Sequence, residues 1–225
     1  MWRTTVIVIV SIVAISLAFI IFDALRPVTL PRPIHAEGVS PTCATLPADP
    51  SSSLSSNEAA GVFLNNLGLP RLDCGPSGAD EVYRFTWGHA FSQPHPISVT
   101  IMRRGTAVSV DAREYQFTRR PPYSIVTETN HDVTMLEWHQ IENAVDASPF
   151  WTVAGYTPDG AFDGGSWIIE ARIHDGYHRA SWWEPGSAHE RGGEEFKMAA
   201  MQIARLGGYV YRNPSEAIGW ERTAR

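Results

Sequence analysis

The chain has 225 residues, a formal net charge of −6 and a hydrophobic content of 44%. This length and composition suffice for one domain with a sizeable core in addition to a separate N-terminal segment. The negative charge and the lack of a basic stripe exclude the usual nucleic-acid-binding proteins, so we expect no nucleic-acid partner.

The N-terminal segment contains an uncharged apolar run over residues 4–22. A helix of this length crosses the roughly 30 Å hydrocarbon layer of a bilayer at about 1.5 Å per residue. The run is longer than a typical signal-peptide core, and the first small-residue motif, Ile34-His35-Ala36, lies well beyond its end. We therefore expect an uncleaved anchor at residues 1–26 in the inner membrane, with the C-terminal domain outside the cytoplasm. The alternative is a cleaved signal peptide and a secreted or periplasmic protein.

A linker and one folded domain are expected after the anchor. Residues 27–53 are rich in proline and serine, which predicts an extended linker, and residues 54–225 form the domain. The only two cysteines, Cys43 and Cys74, bracket the first predicted helix. Because disulfides persist outside the cytoplasm, we predict that these two are bonded, with two unrelated thiols as the alternative.

The domain begins with a helix and continues with strands. A capping box, Ser55 with Glu58, precedes a short amphipathic helix over residues 56–67. Alternation of apolar residues and β-branched content then predict five strands, at residues 81–91, 97–102, 107–110, 115–117 and 124–129.

Two further helices are predicted in the second half of the chain. The first starts at a capping box, Thr134 with Glu137, and ends near Ala147. Its predicted apolar stripe consists of Leu136, Trp138, Ile141 and Val145. The second covers residues 194–206 and ends at Gly207-Gly208, and its stripe consists of Phe196, Ala199, Ala200 and Ile203.

A β-hairpin is predicted between these helices, because Asp175-Gly176 readily adopts the positive φ angles of a type I′ turn. With this turn, Ile173 is expected opposite His178. One face is then apolar and is expected to pack on the core: Trp167, Ile169, Ala171, Ile173, His178, Ala180 and Trp182. The other face includes Glu170 and Trp183 and is expected to be half exposed to water.

Three residues are candidates for catalysis, although no catalytic residue is assigned. Glu170 lies near Arg172 and Arg179, which indicates a solvated charge cluster or, alternatively, a carboxylate oriented by arginines in a shallow site. Asp163 is interpreted first as a turn residue and only then as a catalytic candidate, and His178 as a hydrogen-bonded core histidine. His174 and His178 point to opposite sides of a hairpin, so we expect no metal site, and no sequence feature predicts a cofactor.

The element order is helix, strands, helix, hairpin, helix. It predicts an α+β fold, with an antiparallel β-sheet and about three packing helices, preceded by one N-terminal transmembrane helix. One pattern in this region consists of Phe150, Trp151, Asp163, Gly164, Trp167, Glu170, Tyr177, His178, Trp183 and Pro185. It resembles the pattern of a recurring group of bacterial proteins that have no known activity and are often exported. The resemblance implies export and this fold, and it implies no chemistry.

Three function classes are compatible with the sequence. No nucleophile elbow, zinc-protease motif, P-loop or dinucleotide-binding fingerprint is present. We therefore expect a binding or interaction module of the bacterial envelope. The alternatives are an envelope hydrolase that uses Glu170 or Asp163 with His178, and a structural subunit of a membrane assembly.

Overall fold

The computed structural model describes residues 56–73, 79–89, 95–153, 155–156, 164–174, 176–185, 192–212 and 219–223. The predicted anchor, the linker, Ser55, both cysteines and Asp163 lie outside these residues, and the predictions made for them stay predictions. Within the described part of the chain, no helix combines the length and the apolar composition that a membrane crossing requires.

The described residues confirm the α+β class, with six antiparallel strands in one sheet and three α-helices. The helices are α1 (Ser56–Asn66), α2 (Met135–Ala147) and α3 (Gly193–Leu206), and a short 3₁₀ helix covers Pro149–Trp151. The antiparallel strands are β1 (Glu81–His89), β2 (Ile97–Arg104), β3 (Ala107–Gln116), β4 (Ser124–Val133), β6 (Gly165–Ile173) and β7 (Gly176–Trp183). Three short strands complete the list: β5 (Gly155–Tyr156), β8 (Tyr209–Arg212) and β9 (Gly219–Arg222).

The main sheet places β1 at its centre. Its strand order is β4-β3-β2-β1-β6-β7-β5, where β5 adds two residues in parallel to β7. Strands β8 and β9 form a separate antiparallel pair. Every residue of β1 from Glu81 to Gly88 is buried, so side chains on both faces of the sheet are covered.

One face of the sheet packs on α2 and α3 and carries the larger core. Tyr83, Phe85 and Trp87 of β1 lie there, together with Trp167 of β6. The predicted stripe of α3 is buried in full, and α2 contributes Trp138, Ile141 and Val145. The inclusion of Leu136 in that stripe was wrong, since its side chain is 69% exposed. At 3.6 residues per turn, a residue two positions before Trp138 projects to the opposite side of the helix.

The other face of the sheet is covered by α1 and by the segment that follows it. Ala60, Leu64, Leu67 and Leu69 pack there against Tyr115 and Ile168. The expectation that this face of the β6–β7 hairpin is half exposed was therefore wrong at its centre, where Ile168, Glu170 and Ser181 are buried. Periodicity within the hairpin cannot reveal this cover, because the covering residues lie about 100 positions earlier in the sequence.

The hairpin register differs from the prediction by two residues. Ile173 lies opposite Gly176, and His178 lies opposite Ala171. The turn is therefore centred one residue earlier than Asp175-Gly176, and His174 has a φ of 55°. A shift of two residues keeps each side chain on its face, so the predicted apolar face of the hairpin is confirmed as the core-facing one.

Two strands are longer than predicted. Residues 107–110 and 115–117 belong largely to one strand, β3, which has an irregularity in its pairing with β4 at Glu114 and Tyr115. Polar residues in the middle of β3 conceal the strand in the sequence. In the structure these charges are paired, since Arg113 lies 2.9 Å from both Asp111 and Glu128. Strand β4 likewise continues to Val133.

The predicted start of α2 is confirmed in atomic detail. The Thr134 hydroxyl accepts a hydrogen bond from the Glu137 backbone N–H at 3.2 Å. The Glu137 carboxylate accepts one from the Thr134 backbone N–H at 2.8 Å. This reciprocal pair satisfies two backbone donors that the first turn of a helix leaves without partners.

Tryptophan truncation tests the two faces of the hairpin. Trp167→Ala is expected to lower the free energy of unfolding by about 3–5 kcal/mol, because a fully buried aromatic side chain leaves a cavity. Trp183→Ala is the matched control on the paired strand, and it is expected to cost less because Trp183 is only partly buried. Urea denaturation of both variants measures the difference. Equal losses would contradict the face assignment.

Candidate functional site

Glu170 lies in a buried charge network on the α1 side of the sheet. Arg84 of β1 and Arg179 of β7 are its direct cross-strand neighbours, so the three side chains form one row. Arg84 Nε donates to Glu170 Oε2 at 2.6 Å, and Arg84 Nη2 lies 2.5 Å from the same oxygen. The side chains of Arg84 and Glu170 are only 1% and 3% exposed. The prediction of a solvated charge cluster is therefore wrong for Glu170. The alternative, a carboxylate oriented by arginines in a shallow site, is correct only in that an arginine binds the carboxylate, because this arginine is Arg84, which was not among those predicted, and the pair is buried.

Tyr177 completes the hydrogen bonding of this carboxylate. Its hydroxyl donates to Glu170 Oε1 at 2.8 Å, so both carboxylate oxygens are used. Burial, reinforced by the negative charge of Glu170, raises the pKa of Tyr177 above its ordinary value of 10.0. The phenol thus stays protonated and remains a donor at neutral pH.

Arg84 also holds the segment that covers it. Its Nη1 donates to the backbone carbonyl of Pro70 at 2.8 Å. Leu69 and Leu72 on either side of this contact are buried. One guanidinium therefore connects the central strand, the hairpin and the segment after α1.

A second charge pair lies toward the solvent from this network. Arg71 donates from Nε to Asp73 Oδ1 at 3.0 Å and from Nη2 to Oδ2 at 2.5 Å. Their side chains are 31% and 28% exposed. The hydrogen bonds from Arg71 hold the pKa of Asp73 below its ordinary value, so this carboxylate is ionised at neutral pH.

Both pairs line one cavity of about 60 Å³ between α1 and the sheet. Arg84 and Glu170 form its buried part, Arg71 and Asp73 its partly exposed part, and Arg179 is a further lining residue. A second cavity of about 80 Å³ shares Arg84 and has a mixed lining that includes Asp111 and Arg113. Desolvation raises the pKa of Asp111, and Arg113 partly opposes this effect.

The other predicted site residues do not join Glu170. His178 lies on the opposite face of the sheet, where its Nε2 is 3.2 Å from the carbonyl oxygen of Val153 and its ring packs edge-on against Phe150 at 4.8 Å. His178 is thus a hydrogen-bonded histidine on the core side, as predicted. Because Glu170 and His178 are separated by the sheet, they cannot act together on one substrate. His174 is exposed in the turn, 3.6 Å from Glu81.

Gly164 and Gly165, which follow Asp163 in the sequence, lie where neighbouring side chains approach the backbone closely. A Cβ at Gly165 would lie 2.3 Å from Trp87 Nε1, so only glycine fits beside this indole. The Gly165 backbone N–H donates to the carboxylate of Glu184, and burial raises the pKa of that carboxyl group. Gly164 has a φ of 148°, which disfavours any side chain.

Several members of the charge network were missed in the sequence. Arg84 carries a signal that was available, since it stands in a strand whose neighbours Val82 and Thr86 are small or apolar on the same face. A charged residue in such a run indicates a buried ion pair when the strand is covered on both faces. Arg71 and Asp73 carry no comparable signal, because a short loop with two charges is ordinary.

A different surface feature lies at the edge of the sheet. Strand β4 pairs with β3 on one side, and no described strand pairs with its outer edge. Ile125 and Val126 on this strand are 46% and 44% exposed, and Glu128 and Asp132 are exposed as well. The strand therefore presents backbone hydrogen-bonding groups beside both apolar and acidic side chains.

Comparison of the chain with known protein families and with curated proteins found no match in either set. The resemblance to exported bacterial proteins stays a prediction.

Replacement of Tyr177 tests the charge network through its pH dependence. Tyr177→Phe is expected to lower the free energy of unfolding by about 1–3 kcal/mol at neutral pH, because Glu170 Oε1 loses a buried donor. Above about pH 10, Tyr177 ionises in the unfolded chain but stays protonated in the folded protein. Rising pH therefore lowers the free energy of unfolding of the wild type through this group, and the variant lacks the group and this loss. The difference between the two proteins should therefore shrink toward about pH 11.

Urea denaturation at both pH values measures this difference. Tyr123→Phe is the control, because it removes a phenol that packs against Phe117 outside the network. A stability difference for Tyr177→Phe that stays constant from neutral to alkaline pH would contradict the buried contact.

Proposed function

We propose that residues 54–225 form an interaction module of the bacterial envelope that binds an extended segment of a partner protein along β4. In this proposal the N-terminal anchor displays the module outside the cytoplasm. The observation that carries the proposal is the outer edge of β4, which is ten residues long and pairs with no strand among the residues that the structure describes.

An open edge of this length is unusual in a protein that avoids association. The N–H and C=O groups of an edge strand are a template for pairing with another chain, and proteins commonly shorten, cover or charge such edges. At the opposite edge of this sheet, the two-residue strand β5 pairs with Ser181 and Trp182 at the end of β7. Strand β4 instead exposes Ile125 and Val126, which would provide the apolar contacts of an added strand.

The charges of β4 favour a basic partner over a second copy of this chain. Glu128 and Asp132 are exposed. Arg113 of β3 forms an ion pair with Glu128, with 2.9 Å between guanidinium nitrogen and carboxylate oxygen. In a centred antiparallel pair of two β4 strands, the two Glu128 side chains would be diagonal neighbours and Asp132 would lie opposite the apolar Ile125, so the pair would lack charge complementarity. The expected partner segment is extended, apolar at one end and carries lysine or arginine at the other.

Photocrosslinking in native membranes tests this proposal on the full-length protein. A photoreactive residue in place of Val126 is expected to capture one defined partner, identified by mass spectrometry. The same residue in place of Met198, an exposed apolar position on α3, is the control and is expected to capture none of that partner. The purified partner should then protect the backbone amides of β4 from hydrogen exchange.

Charge substitutions complete the test. Ile125→Lys together with Val126→Lys should weaken binding of the identified partner, and Met198→Lys should leave it unchanged. Equal capture from both positions, or unprotected β4 amides in the complex, would refute binding at this edge. Loss of capture after deletion of residues 1–26, with β4 unprotected, would favour the structural subunit of a membrane assembly instead.

A further inference from the structure

Two exposed arginines lie directly before β4. Arg119 and Arg120 belong to the loop between β3 and β4, and both are exposed. The end of this loop is attached to α1, because the Tyr123 backbone N–H donates to the carbonyl of Asn66 at 2.9 Å. Its two ends also contact each other, since the rings of Phe117 and Tyr123 pack edge-on at 4.8 Å. The two positive charges are therefore carried by a backbone with a defined position beside the start of β4.

The acidic residues of this edge lie toward the other end of the strand. Strand β4 begins at Ser124, and its exposed carboxylates belong to Glu128 and Asp132. At about 3.3 Å per residue, Asp132 lies roughly 25 Å from the start of the strand. The exposed apolar residues Ile125 and Val126 come between the arginines and the carboxylates. The edge therefore changes from basic through apolar to acidic in the direction of the chain.

The sheet favours an antiparallel strand at this edge. The pairings among β1, β2, β3, β4, β6 and β7 are all antiparallel, and an antiparallel ladder is slightly more stable per residue than a parallel one. The N-terminal end of an antiparallel partner lies beside the C-terminal end of β4. Basic residues at that end of the partner would face Glu128 and Asp132, and acidic residues at its other end would face Arg119 and Arg120. Opposite charges across strands stabilise a pair, and like charges destabilise it.

We propose that the β4 edge selects a partner segment that is basic, then apolar, then acidic from its N-terminal to its C-terminal end, and that this segment pairs antiparallel to β4. The inference rests on the binding function proposed for this edge. It adds the direction of the partner segment and the order of its charges, including the acidic residues that continue beyond its apolar part.

A second copy of this chain has the same order of charges but does not fit the edge over its full length. Arg120 of the copy would lie opposite Asp132 only in the register that places Val126 opposite Val126. In that register the two strands overlap only over residues 124–128, which is half of β4. The ladder cannot extend through Pro121-Pro122, because proline has no N–H to donate. A separate extended segment can match the charges and pair along the whole strand.

Synthetic peptides that differ only in direction test the charge order on the full-length protein. The forward peptide runs from two lysines through a β-branched apolar centre to two aspartates, and the reversed peptide has the same residues in the opposite order. The two peptides therefore share their composition and net charge. In fluorescence anisotropy the forward peptide is expected to bind about fivefold more tightly or better, because its charges match the edge in an antiparallel pair. The forward peptide with N-methylated backbone amides is expected not to bind, because it cannot donate the hydrogen bonds of an added strand.

Charge reversal in the protein tests which residues cause this preference. Arg119→Glu together with Arg120→Glu should weaken binding of the forward peptide several-fold, and replacement of the aspartates of the peptide by lysines should restore it. Arg205→Glu together with Arg222→Glu, at exposed positions on α3 and β9, is the control and should leave the affinity unchanged. The preference for the forward peptide should also decrease at about 1 M salt, where charges are screened beyond roughly 3 Å.

The outcomes separate this inference from the function proposed for the edge. Equal affinity for the forward and reversed peptides, abolished by N-methylation, would overturn the charge order and leave the edge as a binding site. Absence of binding by the forward peptide would also overturn the charge order, while capture from position 126 tests the edge independently. Binding that survives N-methylation would place the contact away from the edge and overturn both proposals. A covalent dimer captured from position 126 would identify a second copy as the occupant and overturn the inference.

Discussion

The ion pair between Arg84 and Glu170 is the interaction on which the α1 side of the molecule depends. It joins the central strand to the hairpin, and the same guanidinium binds the carbonyl of Pro70 in the covering segment. Removal of two charges from water is costly, and a buried pair compensates this only when its remaining donors and acceptors are satisfied. Here Tyr177 and Pro70 supply two of those partners. The pair thus fixes the position of the segment that follows α1. The cavity lies where α1 and this segment pack over polar rather than apolar side chains of the sheet.

The two faces of the sheet have different roles for a physical reason. The face toward α2 and α3 is filled by aromatic and aliphatic side chains, and tight packing there tolerates little change. The face toward α1 carries a polar row across the strands, from Asp111 through Thr100 and Arg84 to Glu170 and Arg179. The cavities of about 60 and 80 Å³ both lie on this face, and a cavity that has a polar lining and room for a water molecule can hold one. The larger apolar core therefore lies on one face of the sheet, and both polar-lined cavities lie on the other.

Local patterns were sufficient to predict much of the fold. Short-range rules predict the capping box at Thr134, the apolar stripe of α3 and the core-facing side of the hairpin. The hairpin faces are correct despite the wrong register, because a shift of two residues leaves each side chain on the same face. The candidate site was predictable only in part. Glu170 and its arginines were singled out, but its direct partner Arg84 lies 86 positions away and its cover still further. Burial that arises from such distant contacts leaves no periodic signal in the sequence, so the charges were expected to be solvated.

A double-mutant cycle on Arg84 and Glu170 tests the central claim most directly. The free energies of unfolding of Arg84→Met, Glu170→Leu and the double variant are measured in urea beside the wild type. Each single change leaves one buried charge without its partner, so the account predicts a coupling energy of about 2 kcal/mol or more, with the double variant more stable than at least one single variant. Strictly additive effects, with a coupling energy below about 0.5 kcal/mol, would show that the two side chains are solvated and would contradict the buried network.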